Sequence, residues 1–231
     1  MQKYTTLLFD ADDTLLDFHA AERKAITDTL ESFGIPCPES TIQTYSEINQ
    51  SLWKALERKE IEKERLRVRR FELLLEELSL NVSPEAISVA YTDNLAKNSQ
   101  VVDGAISVCK KLSEHCSIYI ITNGLKNVQT PRMNTSGLLP YIKHSFISED
   151  IGVEKPDVKY FEKVASMIPD FKKSEALVIG DSLTSDIKGG IAFGLDTCFF
   201  NPKNKPIPED MDITYTISNL SELYAIVNVN E

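Results

Sequence analysis

The sequence predicts an α/β fold in which helices flank a parallel sheet and a smaller all-helical domain is inserted after the first strand. Short apolar runs bounded by turn residues recur along the chain, as expected for strands buried on both faces. After Gly104 these runs alternate with segments of helical periodicity, which is typical of a parallel sheet. Before that point, residues 18–97 show helical patterns alone, which indicates a separate helical domain.

The predicted elements follow from this periodicity in chain order. A first strand at residues 4–9 precedes four helices, for which we predict residues 18–33, 39–59, 62–79 and 84–96. Ser83 suits the N-cap of the fourth helix and Pro84 its first position. Later strands are predicted near residues 117–122, 145–148, 176–180, 196–200 and 213–217, with helices near 104–114, 126–136, 157–168 and 184–193. We therefore expect a core domain of residues 1–16 and 98–231 and a helical domain of residues 17–97.

Composition narrows the class of partner. The 231 residues carry a formal net charge of −10, which argues against a polymeric nucleic acid partner because such binding needs basic surface. No apolar run approaches the ~20 residues of a membrane span, and the N-terminal segment lacks a signal-peptide pattern. The four cysteines have no metal-like spacing. We expect a cytoplasmic protein with free thiols and no membrane partner; the pattern does not specify an oligomeric state.

Residues with groups suited to catalysis, in their side chains or their backbone amides, follow three of the predicted strands. They are Asp10, Asp12, Thr122, Asn123, Gly124, Asp181 and Asp186, and Lys155 lies before Pro156 in a further loop. Because the carboxyl ends of parallel strands meet at one edge of a sheet, we expect these residues to converge there. Carboxylates, a hydroxyl and an ammonium at one edge suit phosphoryl transfer.

Asp10 and Asp12 are two residues apart at a strand end, so extended geometry directs both side chains to the same side. A carboxylate that attacks phosphorus forms an aspartyl-phosphate and divides one difficult step into two. The second carboxylate can protonate the leaving oxygen and later deprotonate a water molecule. We therefore assign the nucleophile to Asp10 and the acid/base to Asp12.

An anionic nucleophile and an anionic substrate require charge neutralisation, which Mg²⁺ supplies through hard oxygen ligands. We expect Asp10, Asp181 and the backbone carbonyl of Asp12 to bind it. Asp186 lies too far along the chain for the same turn, so we assign it a second-shell or water-mediated role. Thr122, Lys155 and the amides of Asn123 and Gly124 are expected to hold the phosphoryl oxygens.

The combined motifs resemble the phosphatases of the haloacid dehalogenase superfamily. The resemblance rests on Asp10-Ala11-Asp12-Asp13-Thr14, on Thr122, on Lys155, and on Gly180-Asp181 followed by Asp186. It implies a Rossmann-like core with a helical cap inserted after the first strand. The segment 9–18, Thr122-Asn123-Gly124 with Gln129, and the segment 180–187 further resemble its pyrimidine nucleoside 5′-monophosphate phosphatases, which implies nucleotide hydrolysis.

Two positions depart from the superfamily pattern. Many members have glycine where Asp13 stands, at the start of a tight turn, and aspartate tolerates unusual backbone angles better than most residues. Pro131 falls inside the predicted helix after Gly124 and should kink that helix or delay its start. The placement of Gln129 and Arg132 is therefore open.

Four residues of the helical domain are candidate substrate contacts. Arg70 belongs to a basic stretch whose other members we expect to pair with glutamates, and the resemblance favours it as a substrate residue. Trp53 and Phe18 either stack on a nucleobase or pack in a core. Asn49 either binds a base edge or is an exposed helical residue.

The favoured hypothesis is a Mg²⁺-dependent phosphatase whose partner is a small phosphorylated metabolite, most simply a nucleotide. Sugar phosphates or phosphoglycolate are alternative substrates, because the core chemistry would be the same. A carbon–halogen hydrolase, a non-enzymatic phospho-acceptor and an inactive binding module have no use for Asp12 as an acid/base. We rank these three below the phosphatase.

Overall fold

The computed structural model describes residues 3–229 and divides them into two compact units. The first unit contains the described residues up to Asp17 and from Gln100 onward, and the second is the segment 18–99. The backbone N–H of Asp17 donates to the carbonyl of Gln100 at 2.9 Å. The chain therefore leaves the first unit and returns to it at adjacent points.

A six-stranded parallel sheet forms the centre of the first unit, as predicted. Its strands are β1 (Thr6–Phe9), β2 (Ser117–Thr122), β3 (Ile142–Ile147), β4 (Ala176–Gly180), β5 (Asp196–Phe200) and β6 (Tyr215–Ile217). They lie in the order β3-β2-β1-β4-β5-β6, with every pair parallel. The strands that end in predicted site residues, β2, β1 and β4, are therefore neighbours at the centre of the sheet.

Alternate residues of the central strands pack into two separate cores. Leu7 and Phe9 of β1 join one hydrophobic cluster, whereas Leu8 between them joins the other. This alternation is what a strand buried on both faces produces, since successive side chains point to opposite sides of the sheet. Burial on both faces holds the carboxyl ends of these strands in fixed positions.

The described part of the first unit contains six α-helices, and the two short ones at Ser148–Ile151 and Leu223–Val227 were not predicted. The six are α5 (Ala105–Ser113), α6 (Lys126–Thr135), α7 (Ser148–Ile151), α8 (Val158–Met167), α9 (Lys188–Phe193) and α10 (Leu223–Val227). The predicted helix at 184–193 begins instead as a π-helical turn, Leu183–Ile187, before α9. Helix α6 begins at Lys126 and continues through Pro131, so of the two effects expected of this proline, a kink or a delayed start, the delayed start was wrong.

The second unit consists of four helices, α1 (Phe18–Ser32), α2 (Glu39–Glu57), α3 (Lys63–Glu77) and α4 (Pro84–Ala96). Its centre contains the rings of Tyr45, Phe71 and Tyr91, whose centroids are 5.2–5.4 Å apart. The hydroxyl of Ser83 caps α4 by accepting a hydrogen bond from the Ala86 N–H. The unit thus has an aromatic core of its own, and the N-cap of its fourth helix is the predicted Ser83.

The structure agrees with the sequence on two features, the lack of a membrane-spanning helix among the described residues and the free cysteines. Within the described residues 3–229, no helix combines the length and the apolar character needed to cross a bilayer. The cysteines Cys37, Cys109, Cys116 and Cys198 are all free thiols, as predicted, and the last three are buried.

Candidate active site

Asp10 follows β1 directly, and the pairing of that strand with β4 holds its backbone. The Asp10 N–H donates to the carbonyl of Ile179 at 2.8 Å, which extends the strand pairing by one residue. The turn then passes through Asp13, which has a positive φ of 59°. This is the left-handed region that glycine adopts freely and that aspartate tolerates better than most residues. The tight turn expected at Asp13 is present.

Lys155 lies against the carboxylate of Asp10 and is itself buried. Its Nζ is 2.7 Å from Asp10 Oδ1, 2.6 Å from Asp186 Oδ1 and 2.8 Å from the carbonyl oxygen of Ile121. An ammonium has three protons, so each of these acceptors receives one. The side-chain amide of Asn123 makes two hydrogen bonds to the backbone of Lys155. Its Nδ2 donates to the Lys155 carbonyl at 2.8 Å, and its Oδ1 accepts from the Lys155 N–H at 2.9 Å.

Three carboxylates converge beside this lysine. Asp10, Asp181 and Asp186 each place one carboxylate oxygen so that the three lie within 4.8 Å of one another. We expected Asp186 to lie too far along the chain for the turn of Asp181, and the structure nevertheless places its carboxylate in the same cluster. The π-helical turn returns its carboxylate to the end of β4, where a Cβ on Gly180 would lie 2.3 Å from Asp186 Oδ2. Glycine at position 180 therefore leaves the space that the carboxylate occupies.

The cluster has more negative than positive charge. Burial raises the pKa of Asp10 well above its ordinary value, and three neighbouring carboxylates raise it further against the ammonium of Lys155. Burial also raises the pKa of Asp186. Burial by itself would lower the pKa of Lys155, but the charges of Asp10 and Asp186 outweigh it and the net shift is upward. The three carboxylates outnumber the buried ammonium of Lys155 and the partly exposed ammonium of Lys205, which lies beside Asp181. Hard oxygen donors with an excess of negative charge fit a divalent cation such as Mg²⁺.

A second lysine, which was not among the predicted site residues, touches this cluster. Lys205 Nζ lies 2.9 Å from Asp181 Oδ2. The side chain of Asn201, at the end of β5, hydrogen-bonds both the N–H and the carbonyl of Lys205. The segment 201–208 was predicted only as a loop, and a lysine in a polar loop has no sequence signal of such a contact.

Asp12 is held by two side chains of α6. Gln129 Nε2 lies 2.8 Å from Asp12 Oδ2, and Arg132 Nη1 lies 2.5 Å from Asp12 Oδ1. Arg132 is fully buried and Gln129 is almost so. The helix that contains Pro131 therefore brings both residues to the predicted acid/base. Their three-residue spacing puts them on one helix face, but no sequence pattern indicated which partner they would contact.

Thr122, Asn123 and Gly124 lie at the end of β2, beside the same cluster. Thr122 Oγ1 accepts hydrogen bonds from the Gly124 N–H and from Gln129 Nε2, both at 3.0 Å. The structure therefore gives the Gly124 N–H a different acceptor from the phosphoryl oxygen that we expected. The side chain of Asn123 is used on the backbone of Lys155, which leaves its backbone amide as the predicted phosphate contact.

All four residues predicted to contact the substrate lie in the second unit, whereas the carboxylate cluster lies in the first. Asn49 is buried and not exposed. Its side-chain amide donates to Glu22 and accepts from Arg70 Nη1 at 3.1 Å. The Arg70 guanidinium is also buried and lies 4.7 Å from the Tyr91 ring centroid. These contacts give both residues a role inside the helical unit. Trp53 and Phe18 are half-buried.

The whole chain is similar to known hydrolases. The model of a haloacid dehalogenase-like hydrolase family matches residues 4–194. The HAD-hydrolase YfnB of Bacillus subtilis is 42% identical over 229 residues, which cover 99% of this chain and 97% of that protein. The crystal structure of YfnB bound to magnesium has a TM-score of 0.95 at 41% identity, with 99% of this chain and 100% of that chain covered.

Two further relatives have names that state a substrate. The pyrimidine 5′-nucleotidase PynA of Streptococcus pneumoniae is 37% identical, with 98% of this chain and 96% of that protein covered. The pyrimidine 5′-nucleotidase YjjG of Escherichia coli is 32% identical, with 96% of each chain covered.

Proposed function

Since this chain belongs to the haloacid dehalogenase-like hydrolase family, we propose that it is a Mg²⁺-dependent phosphomonoesterase that acts on pyrimidine nucleoside 5′-monophosphates. The observation that carries the proposal is the environment of Asp10. Its carboxylate lies 2.7 Å from Lys155 Nζ and within reach of a cation that Asp181 and Asp186 would share. In this position the positive charges of Lys155 and of the cation would offset the repulsion between the Asp10 carboxylate and an anionic phosphoryl group.

The reaction has two steps in this proposal. Asp10 attacks phosphorus, the bond between phosphorus and the 5′-oxygen breaks, and Asp12 donates a proton to the leaving nucleoside oxygen. Water then attacks the aspartyl-phosphate and gives its proton to Asp12, which releases inorganic phosphate and regenerates Asp10. Lys155 balances charge in both steps, while Thr122 and the Asn123 amide bind phosphoryl oxygens.

The carboxylates Asp10, Asp181 and Asp186 would hold Mg²⁺, together with the backbone carbonyl of Asp12. When bound, the ion neutralises charge between the nucleophile and the phosphate. The excess of the three carboxylates over the ammonium groups of Lys155 and Lys205 supports this assignment, as does the magnesium bound to YfnB. Asp186 is included because its carboxylate lies as close to the cluster as the other two.

The substrate class comes from the names of PynA and YjjG and from the resemblance stated above. Carbon–halogen hydrolysis is disfavoured, because a departing halide needs no proton and Asp12 would then be held by Arg132 and Gln129 without a task. We also propose that the four-helix unit is the cap of the enzyme.

A panel of phosphate esters tests the proposal. Phosphate release from UMP, dUMP and dTMP, from sugar phosphates and from phosphoglycolate would be measured with Mg²⁺ and with EDTA. We expect the highest kcat/KM for the pyrimidine nucleotides and no turnover in EDTA. A preference for sugar phosphates would contradict the substrate class, and turnover without a divalent cation would contradict the mechanism.

A further inference from the structure

The side-chain amide of Gln129 connects two of the proposed catalytic groups. Its Nε2 lies 2.8 Å from Asp12 Oδ2 and 3.0 Å from Thr122 Oγ1. A primary amide nitrogen has two protons, so one is directed at each oxygen. Gln129 is 2% exposed, and these bonds are therefore formed away from bulk water.

Arg132 determines which way this amide faces. Its Nη1 lies 3.0 Å from Gln129 Oε1 and also binds Asp12 Oδ1. A guanidinium can only donate hydrogen bonds, so the neighbouring atom of Gln129 must be the oxygen. The amide nitrogen is then directed to Asp12 and Thr122. The orientation of Gln129 follows from its partners.

The same contacts determine which way the Thr122 hydroxyl points. Thr122 Oγ1 accepts from Gln129 Nε2 and from the Gly124 N–H. A hydroxyl oxygen has two lone pairs and one proton. With both lone pairs engaged, the group can act toward any further partner only as a donor. A phosphoryl oxygen is an acceptor, and it is the partner proposed for this hydroxyl.

Gly124 makes room for this arrangement. A Cβ at position 124 would lie 2.6 Å from Gln129 Nε2 and 2.7 Å from its Cγ. These distances are shorter than any van der Waals contact, so a side chain at this position would displace Gln129. Only glycine at position 124 therefore allows Gln129 to lie this close to the backbone.

We infer that Gln129 is a positioning residue that holds the Thr122 hydroxyl as a donor to the phosphoryl group and aligns Asp12 with the leaving oxygen. The inference rests on the proposed phosphatase function. It assigns Gln129 no contact with the substrate, since it acts through Thr122 and Asp12.

Two substitutions separate positioning from packing. Gln129→Met keeps the size of the side chain but removes both donors. Gln129→Glu keeps size and polarity, but puts an oxygen that can only accept 2.8 Å from the Asp12 carboxylate and draws the Thr122 proton away from the substrate. We expect kcat/KM to fall about tenfold in Gln129→Met and about a hundredfold in Gln129→Glu. A purely structural role predicts the opposite order, because glutamate would still pair with Arg132.

Asn127→Asp is the matched control, since Asn127 is an exposed residue of the same helix and undergoes the same change from amide to carboxylate. We expect its kcat/KM to stay within about twofold of wild type. Circular dichroism and thermal unfolding would show that each variant is folded.

A double-mutant cycle with Thr122→Val tests the connection directly through the binding of inorganic phosphate, measured by calorimetry with Mg²⁺. Gln129→Met should weaken phosphate binding in the wild-type background but change it less than about twofold once the hydroxyl is gone. Equal phosphate binding by wild type and Gln129→Met, or equal losses in both backgrounds, would overturn the inference.

This binding measurement also separates the inference from the proposed function. A protein that hydrolyses no ester of the panel but shows the coupling in phosphate binding contradicts the function and retains the positioning role. An active enzyme without coupling contradicts the positioning role alone. A wild-type protein that neither binds nor releases phosphate contradicts both.

Discussion

Lys155 and Asp186 form a fully buried ion pair, with Nζ 2.6 Å from Oδ1 and only 1% of either side chain exposed. The pair connects the loop that contains Lys155 to the π-helical turn after β4. Because the same ammonium also binds Asp10, its ion pairs connect three separate segments of the chain. The stability of this part of the fold and the proposed chemistry therefore depend on the same group.

Lys155→Met should destabilise the protein, since it leaves two buried carboxylates without their ammonium. Breaking a buried ion pair by removing one partner costs about 3–5 kcal/mol. Urea unfolding in EDTA would measure the change, with Lys159→Met on the exposed side of α8 as control. Adding Asp186→Asn to Lys155→Met should restore part of the lost stability. A Lys155→Met protein as stable as wild type would contradict this account.

Asp10→Asn should abolish turnover without unfolding the protein. The amide cannot attack phosphorus, so we expect kcat to fall by on the order of 10³ or more. Because burial raises the pKa of Asp10, a neutral amide also removes a poorly solvated charge, and the unfolding free energy in EDTA should not decrease. Phosphate-release assays and urea unfolding check the two parts. Residual turnover near the wild-type rate would exclude Asp10 as the nucleophile.

Chelation with EDTA should inactivate the enzyme, and added Mg²⁺ should restore it. Binding of Mg²⁺ can be measured independently of activity by calorimetry. We expect Asp181→Asn to weaken it, and Gly180→Ala to weaken it as well, because the new methyl group would displace Asp186. If Gly180→Ala binds Mg²⁺ like wild type, the Asp186 carboxylate does not contribute to the ion site.

Gly124→Ala should lower activity in the same manner as Gln129→Met. The added Cβ cannot coexist with Gln129 in its present position, and the buried side chain has to move away from Asp12 and Thr122. We expect a reduction in kcat/KM of about tenfold. Combining the two substitutions tests the explanation, since Gly124→Ala should have little further effect once Gln129 is methionine. Additive losses would indicate that Gly124 acts through another neighbour.

Glu22 in the helical unit should make stability depend on pH. Its burial raises the pKa of its carboxyl, against smaller opposing effects of Ser46, Asn49, His19 and Arg70. The native state therefore binds this proton more tightly than the unfolded state. The stabilisation is fully present below the ordinary pKa of about 4.5 and is lost as the pH rises through the native value.

Glu22→Gln removes this titration while preserving the shape of the side chain. Relative to wild type, the variant should become more stable as the pH rises from about 4.5 to 7.5. Urea midpoints at several pH values would measure the difference, with Glu47→Gln as the control for loss of an exposed helical carboxylate. A difference that stays constant with pH would show that the native pKa of Glu22 is not raised.

The sequence predicted most elements because their burial follows a regular period. Strand β3 shows where that signal fails. We placed it at 145–148, but it spans Ile142–Ile147. The start was missed because Lys143 and His144 lie exposed on an edge strand and interrupt the apolar run. The π-helical turn at Leu183–Ile187 was missed for a related reason, since helical periodicity in the sequence does not distinguish a π turn from an α turn.

For the site, too, the sequence predicted what depends on local patterns and not what depends on contacts between distant elements. Apolar runs ending in Asp10, Thr122 and Asp181 were enough to predict that these residues meet at one sheet edge, because parallel topology brings strand ends together. The partners of the individual side chains were not predictable in this way. Arg70 was a candidate substrate contact by resemblance and Asn49 through its side-chain amide, yet the hydrogen bonds between them and to Glu22 lie inside the helical unit.

By itself, the sequence determined the fold class, the helical insertion and the set of residues at the sheet edge, since these follow from short-range periodicity and from motif order. Only the tertiary structure decided that Asp186 returns to the carboxylate cluster, that Lys205 contacts Asp181, and that Gln129 joins Asp12 to Thr122. The physical reason is that a contact between side chains of different elements depends on how those elements pack, whether the residues are 24 positions apart, as Lys205 and Asp181 are, or 117, as Gln129 and Asp12 are. Local patterns specify which face of an element is buried, but not which polar atom it meets there.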